Sequence, residues 1–105
     1  MCGIAGAAWT DVGRALGNDQ LNAMMDRIAH RGPDDSGIFR DGHAALGFRR
    51  LSIVDLEGGH QPLSNEDGTV WVVFNGEIYN FPGLRRRLEA RGHTLRSHGD
   101  TEVLV

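Results

Sequence analysis

From Cys2 to Trp9 the chain reads CGIAGAAW, a short apolar run of small side chains. That pattern predicts a buried strand whose backbone other elements approach closely. The period then changes. Leu21, Met24, Met25, Ile28 and Ala29 recur at i, i+3, i+4 and i+7, which predicts a helix capped by Asn18 or Asp19 and stopped by Gly32 and Pro33, with the methionines as core filler. Two strands, Ser36 to Arg40 and His43 to Phe48, are expected to form a hairpin through Asp41-Gly42, and a further strand covers Arg50 to Val54.

The stretch from Asp55 to Thr69 is rich in Gly, Pro, Asn, Asp and Ser and reads as a loop ending in a turn at Asp67-Gly68. It leads into Val70 to Phe74, VWVVF, whose β-branched and aromatic residues predict a strand buried on both faces. A second helix is expected from about Pro82 to Arg91, with proline in its first turn and Gly92 at its stop; the run Arg85-Arg86-Arg87 spans several of its faces and reads as solvated surface. His93 to His98 reads as a strand. Thr101 to Val105 reads as the beginning of a helix with no length left to bury a face, which suggests the front part of a longer polypeptide.

Composition narrows the function classes. The chain has 105 residues, 40% of them hydrophobic, and a net charge of -3, which describes one domain or part of one without long-range attraction for nucleic acid or anionic lipid. One cysteine allows no internal disulfide, and no stretch is apolar for long enough to be a signal peptide or membrane span, so a reducing cytoplasm is the expected setting. All eleven basic residues are arginine, which removes Schiff-base and phosphate-loop lysine chemistry. The five histidines, at positions 30, 43, 60, 93 and 98, lack the i, i+4 spacing of a helical zinc site, so no metal centre is expected.

Cys2 directly follows Met1. If Met1 is removed, one residue carries a thiol and a free α-amine, whose reference pKa values of about 8.5 and about 8 suit proton exchange near neutrality. A terminal amine beside a thiol is an activated nucleophile for acyl transfer; the competing reading is a small buried hydrophobe. Asn75-Gly76, leaving the VWVVF strand, can supply a side-chain and a backbone N–H to an oxyanion, or can be an ordinary turn. Arg50, Glu77 and Asp100 are charged residues where a pocket for an amino acid could form. Each could also be a surface charge, and Asp100 could be a cap for the helix at Thr101. A redox or metal role for Cys2 lacks a resolving cysteine and clustered ligands.

Six ordered blocks change the picture: Met1-Cys-Gly-Ile-Ala-Gly6, His30-Arg-Gly-Pro-Asp-Asp35, Leu46-Gly-Phe-Arg-Arg-Leu-Ser-Ile-Val-Asp55, Gln61-Pro-Leu63, Phe74-Asn-Gly-Glu-Ile-Tyr-Asn80 and Gly99-Asp-Thr-Glu102. Through them the chain resembles the glutamine amidotransferases with an N-terminal cysteine, in particular the glutaminase domain of glutamine-hydrolysing asparagine synthetases. The resemblance implies an α+β fold of the N-terminal-nucleophile hydrolase type, an αββα sandwich of two stacked antiparallel sheets. Residues 1–105 would hold only its N-terminal part, with the rest of the domain and the synthetase domain absent.

The resemblance further implies that Cys2 is the nucleophile, its α-amine the general base, and Asn75 with the Gly76 N–H the oxyanion hole. Arg50 would hold the glutamine α-carboxylate, Glu77 and Asp100 its α-ammonium, and the backbone of Leu51, Ile53 and Val54 would line the pocket. Glutamine would pass through a Cys2 thioester to glutamate and ammonia, and the ammonia would travel to a C-terminal synthetase domain that activates aspartate with ATP and magnesium. ATP and magnesium belong to that missing domain, since no cofactor motif lies in these residues. The expected partners are glutamine and the synthetase domain of the parent chain, with a homodimer open, and no nucleic acid or membrane. The alternatives are the same glutaminase serving another amide acceptor, and a truncated, inactive module kept for interaction or assembly.

Overall fold

The computed structural model describes residues 1–51 and 59–105. Its first layer is a three-stranded antiparallel sheet in the order β1-β3-β2, built from β1 (Gly3–Ala8), β2 (Asp35–Arg40) and β3 (Ala44–Arg50). The register pairs Gly3 with Arg49 and Ala8 with Ala44 on one side of β3, and Asp35 with Arg50 and Arg40 with Ala45 on the other. Helix α1 (Asn18–Arg27) covers one face of this sheet, where Leu21, Met25 and Ala45 are buried. Phe48 is buried on the opposite face, since strand side chains alternate. Met25 lies against Gly47 so closely that a Cβ there would displace its sulfur, and Ile28 packs over Gly3. The small side chains of β1 and β3 are what let a helix sit this near the strands.

The opposite face carries Gly37 and Phe39, and there a second layer begins. Phe39 stacks on Trp71 with ring centroids 4.2 Å apart and planes 16° from parallel. The Gln61 carbonyl lies against Gly37, where any Cβ would overlap it. This layer holds a two-stranded antiparallel sheet, β4 (Leu63–Ser64) and β5 (Trp71–Val72), closed by a tight turn in which Gly68 has φ 74°. The Asn65 carboxamide oxygen accepts from the N–H groups of Thr69 and Val70, which explains why that polar stretch turns rather than continues. Helix α2 (Phe81–Ala90) ends at Gly92 with φ 92°. It joins β4 through the segment 93–97: Arg85 donates to the Leu95 and Ser97 carbonyls, and Arg96 donates to the Ser64 carbonyl.

Several expectations are corrected. The cap of α1 is Gly17, not Asn18 or Asp19, and its N–H donates to the Gln20 side chain at 2.8 Å. The hairpin turn is centred on Gly42-His43, because the Asp41 carboxylate accepts both the His43 and Ala44 N–H groups at 2.7 Å and closes the turn without a positive φ at Gly42. Arg50 ends β3 instead of opening a new strand, and Ser52 to Val54 of that expected strand lie outside the described residues. Leu63–Ser64 is strand within the expected loop. Strand β1 is covered on one face only, with Ile4 46% exposed on the other.

The VWVVF run is not buried on both faces: Val70 is 49% exposed, and only Trp71 and Val72 enter a ladder. Its one partner among the described residues is two residues long, too short to pair the rest. His93 to His98 is irregular because its N–H groups find side-chain acceptors instead of a strand. Thr94 donates to Glu66, and Arg96 and Ser97 donate to Glu102. Arg85 is not solvated surface, since it ties the loop after α2 to the helix. Thr101–Leu104 forms a 3₁₀ turn.

The contact at Gly37 sets the spacing of the two layers. Gly37→Ala should lower stability by about 1–3 kcal/mol through overpacking against a main-chain oxygen, whereas Gly42→Ala, with no atom within 4 Å of the new carbon, should change it by less than about 0.5 kcal/mol. Urea unfolding of both variants checks this; equal effects would mean that the layers are not in contact at Gly37.

Candidate functional site

Cys2 stands one residue before β1, and the pairing of Gly3 with Arg49 carries it to the end of β3. Its sulfur receives the Leu51 N–H at 3.5 Å and lies 4.0 Å from the Leu51 carbonyl. The Cys2 carbonyl accepts two further donors, Arg31 Nε at 3.2 Å and Asn75 Nδ2 at 3.3 Å. A carbonyl oxygen has two lone pairs, so both bonds can be made at once, and they fix the cysteine main chain. Met1 before it is 77% exposed.

Asn75 and Gly76 form the corner that follows β5. A Cβ at Gly76 would lie 2.7 Å from the Phe74 ring, so the ring backs the Gly76 main chain. The next residues line an open groove of about 730 Å³ with Leu51, Gly76, Glu77, Ile78 and Asp100 on its walls. Asp100 accepts the Ile78 N–H at 2.8 Å and makes no side-chain cap on the following 3₁₀ turn, so its carboxylate faces the 75–80 loop. Of the residues singled out from the sequence, the fold therefore gathers Cys2, Leu51, Asn75, Gly76, Glu77 and Asp100. Ile53 and Val54 lie outside the described residues.

Arg50 is placed differently. It is 8% exposed and packed on Gly59, where a Cβ would run into its guanidinium, and it is not among the described residues lining the groove. Asp35 sits in its field. The His60 hydrogen bond of 2.8 Å is the largest cause holding the Asp35 carboxyl below the usual range; burial opposes it, and the Ser36 N–H and the charge of Arg50 reinforce it.

Two residues with clear structural roles are assigned none from the sequence, although both lie in the quoted blocks and the resemblance implies that Arg31 to Asp35 form a loop near the glutamine site. Arg31 bonds the Cys2 carbonyl. Gln61 is buried, and its carboxamide meets both main-chain groups of Phe74. Nothing in residue type or spacing marks either, since each acts through a contact distant in sequence.

Glu102, two residues beyond Asp100, holds the segment 96–97. Burial pushes its carboxyl up, but the Ser97 hydroxyl and the N–H groups of Arg96 and Ser97, at 2.6–2.7 Å, outweigh that and hold it below its ordinary value. Among the described residues, no group of three or more His, Cys, Asp or Glu could hold a metal ion, and no helix is long and apolar enough to cross a membrane.

Residues 1–105 match a glutamine amidotransferase domain family. Asparagine synthetase [glutamine-hydrolyzing] 1 of Bacillus subtilis (strain 168) is 50% identical over 107 residues, covering 100% of this chain and 17% of that protein. Asparagine synthetase [glutamine-hydrolyzing] 3 of the same organism is 41% identical over 109 residues, with 100% and 17% covered. Asparagine synthetase [glutamine-hydrolyzing] 1 of Arabidopsis thaliana is 39% identical over 105 residues, with 100% and 18% covered. The chain thus spans less than a fifth of the length of each of these three curated relatives.

Because the folded-state Glu102 carboxyl titrates below its unfolded value of about 4.3, its stabilising contribution is present above that value and lost as pH falls through the folded one. Stability should therefore drop below about pH 4.5, and Glu102→Gln should cost about 1–3 kcal/mol at pH 7 while flattening part of that acid slope. Urea midpoints between pH 7 and pH 3 test it; an unchanged slope in the variant would remove Glu102 from the account.

Proposed function

This chain belongs to the glutamine amidotransferase domain family, and we propose that it is the front part of a glutaminase domain that releases ammonia from glutamine through a Cys2 thioester. The carrying observation is the bond between Asn75 Nδ2 and the Cys2 carbonyl, which unites residues 73 positions apart at a single point beside an open groove. Three features support the reading: the Leu51 N–H on the sulfur, the Gly76 backbone turned into the groove, and the carboxylates Glu77 and Asp100 on its walls.

The chemistry follows from these groups. With Met1 removed, the α-amine of Cys2 takes the thiol proton, and the thiolate attacks the side-chain carboxamide carbon of glutamine. The carbonyl oxygen becomes an oxyanion, for which Asn75 Nδ2 and the Gly76 N–H are the donors. Collapse breaks the C–N bond, the α-ammonium returns its proton to the departing nitrogen, and ammonia leaves a γ-glutamyl thioester. Water, deprotonated by the same amine, adds to the thioester carbon; the C–S bond breaks, giving glutamate and the restored thiol.

Substrate orientation is assigned to charge. Glu77 and Asp100, on the groove walls, receive the α-ammonium of glutamine; the α-carboxylate is assigned to Arg50, whose guanidinium offers a planar fork but packs on Gly59 outside the groove lining and has to turn toward Leu51 to reach it. Arg50 stands at the end of β3, next to Leu51, which lines the groove. The protein names of the relatives point to asparagine synthesis as the use of the ammonia. On this reading the acceptor aspartate, ATP and magnesium belong to a synthetase domain beyond these residues, and the setting is a reducing cytoplasm in which the thiol stays free.

Glutamate release from glutamine by the intact polypeptide should depend on Cys2, vanish in Cys2→Ala, and vanish when a residue or tag is retained before Cys2 while the fold persists. Full activity in a tagged protein would remove the α-amine as base. In Asn75→Ala, kcat should fall by about 10²–10³ with a far smaller change in KM, the loss typical of one oxyanion donor. A wild-type kcat in that variant, measured by steady-state kinetics, would move the oxyanion hole elsewhere.

A further inference from the structure

Gln61 places a carboxamide where polar groups are costly unless paired. It is 6% exposed, and both its ends are given to one residue: Oε1 accepts the Phe74 N–H at 2.6 Å, and Nε2 donates to the Phe74 carbonyl at 3.2 Å. A side chain that meets both main-chain groups of one residue replaces a strand neighbour. Phe74 needs one, because β5 ends at Val72 and its ladder does not reach two residues further. An apolar side chain of the same volume would fill the space, but it would remove both of these bonds to the Phe74 main chain.

The position of Phe74 decides where the corner lies. Asn75 follows it directly, and its ring backs Gly76. The other side of Gln61 is equally constrained, since its carbonyl lies against Gly37, which pairs with Phe48 in the sheet that carries Cys2. A chain of contacts thus runs from the nucleophile's sheet through Gly37, Gln61 and Phe74 to Asn75 and Gly76.

Taking the glutaminase reading as given, we propose that Gln61 is a positioning residue for glutamine hydrolysis: it holds the Asn75-Gly76 corner at the distance from Cys2 at which both N–H groups meet the oxyanion. Gln61 touches neither substrate nor sulfur. Its effect is confined to the transition state, because the oxyanion exists only there, while the groups assigned to hold ground-state glutamine are Arg50, Glu77 and Asp100.

Steady-state glutamine hydrolysis by the intact polypeptide tests this with Gln61→Met, Gln61→Glu, Asn75→Ala and the double variant Gln61→Met with Asn75→Ala. A corner displaced by about 1 Å should cost Gln61→Met about 10²-fold in kcat, with KM changed by less than about threefold. In the Asn75→Ala background the same change should cost less than about threefold more, because the two residues act as a unit. In Gln61→Glu, kcat relative to wild type should rise as pH falls, since the protonated acid regains a donor toward the Phe74 carbonyl.

A wild-type kcat in Gln61→Met, fully multiplicative losses in the double variant, or a loss seen only in KM would overturn the proposal. Should Gln61→Met fail to fold, the pH course of Gln61→Glu decides, and a flat ratio overturns it. A wild-type protein without Cys2-dependent hydrolysis would instead sink the glutaminase reading, and this proposal with it.

Discussion

The antiparallel ladder between β1 and β3 is the constraint on which the site depends. Cys2 stands beside the first residue of the chain, a position where a side chain ordinarily has no fixed place. Pairing Gly3 with Arg49 brings it to Leu51, and a slip of one residue would turn every side chain of β1 to the other face. The register is held by packing: α1 lies over Gly3 and Gly47 through Ile28 and Met25, and bulkier residues at those glycines would push the helix away. The smallness of the β1 and β3 side chains is thus a condition for the placement of the thiol.

A second set of interactions brings the corner to the cysteine. Phe39 on Trp71 and Gly37 against Gln61 join the layers, and the Gln61 carboxamide carries that contact on to Phe74. Asp100 and Glu102, two residues apart, then accept main-chain N–H groups from Ile78 on the groove wall and from Arg96 and Ser97. Polar side chains do here what a longer second sheet would otherwise do. They satisfy backbone groups that no ladder among the described residues reaches.

Legibility followed the range of the interaction. The α1 periodicity, the β2–β3 hairpin, the turn at Gly68 and the stop of α2 at Gly92 rest on neighbours a few residues apart, and all were readable. His93 to His98 was misread because alternation alone cannot show that Glu66 and Glu102 will capture its N–H groups. The depth of VWVVF was misread because burial depends on what covers a strand, and β5 has only Leu63–Ser64 beside it. Arg85 looked like one of three surface charges until the loop after α2 folded back onto it.

The chain by itself determined the chemical inventory: one thiol next to the start, a carboxamide followed by glycine after an apolar run, guanidinium as its strong cation, and the ordered blocks that place it in a family. Those are properties of residue type and order, and they survive without coordinates. Tertiary structure alone decided that Asn75 and Arg31 share the Cys2 carbonyl, that Asp100 faces the 75–80 loop rather than capping a helix, and that Gln61 grips Phe74. Each of these is a hydrogen bond between groups far apart along the chain, and its directionality and short reach are met only once packing has fixed both partners.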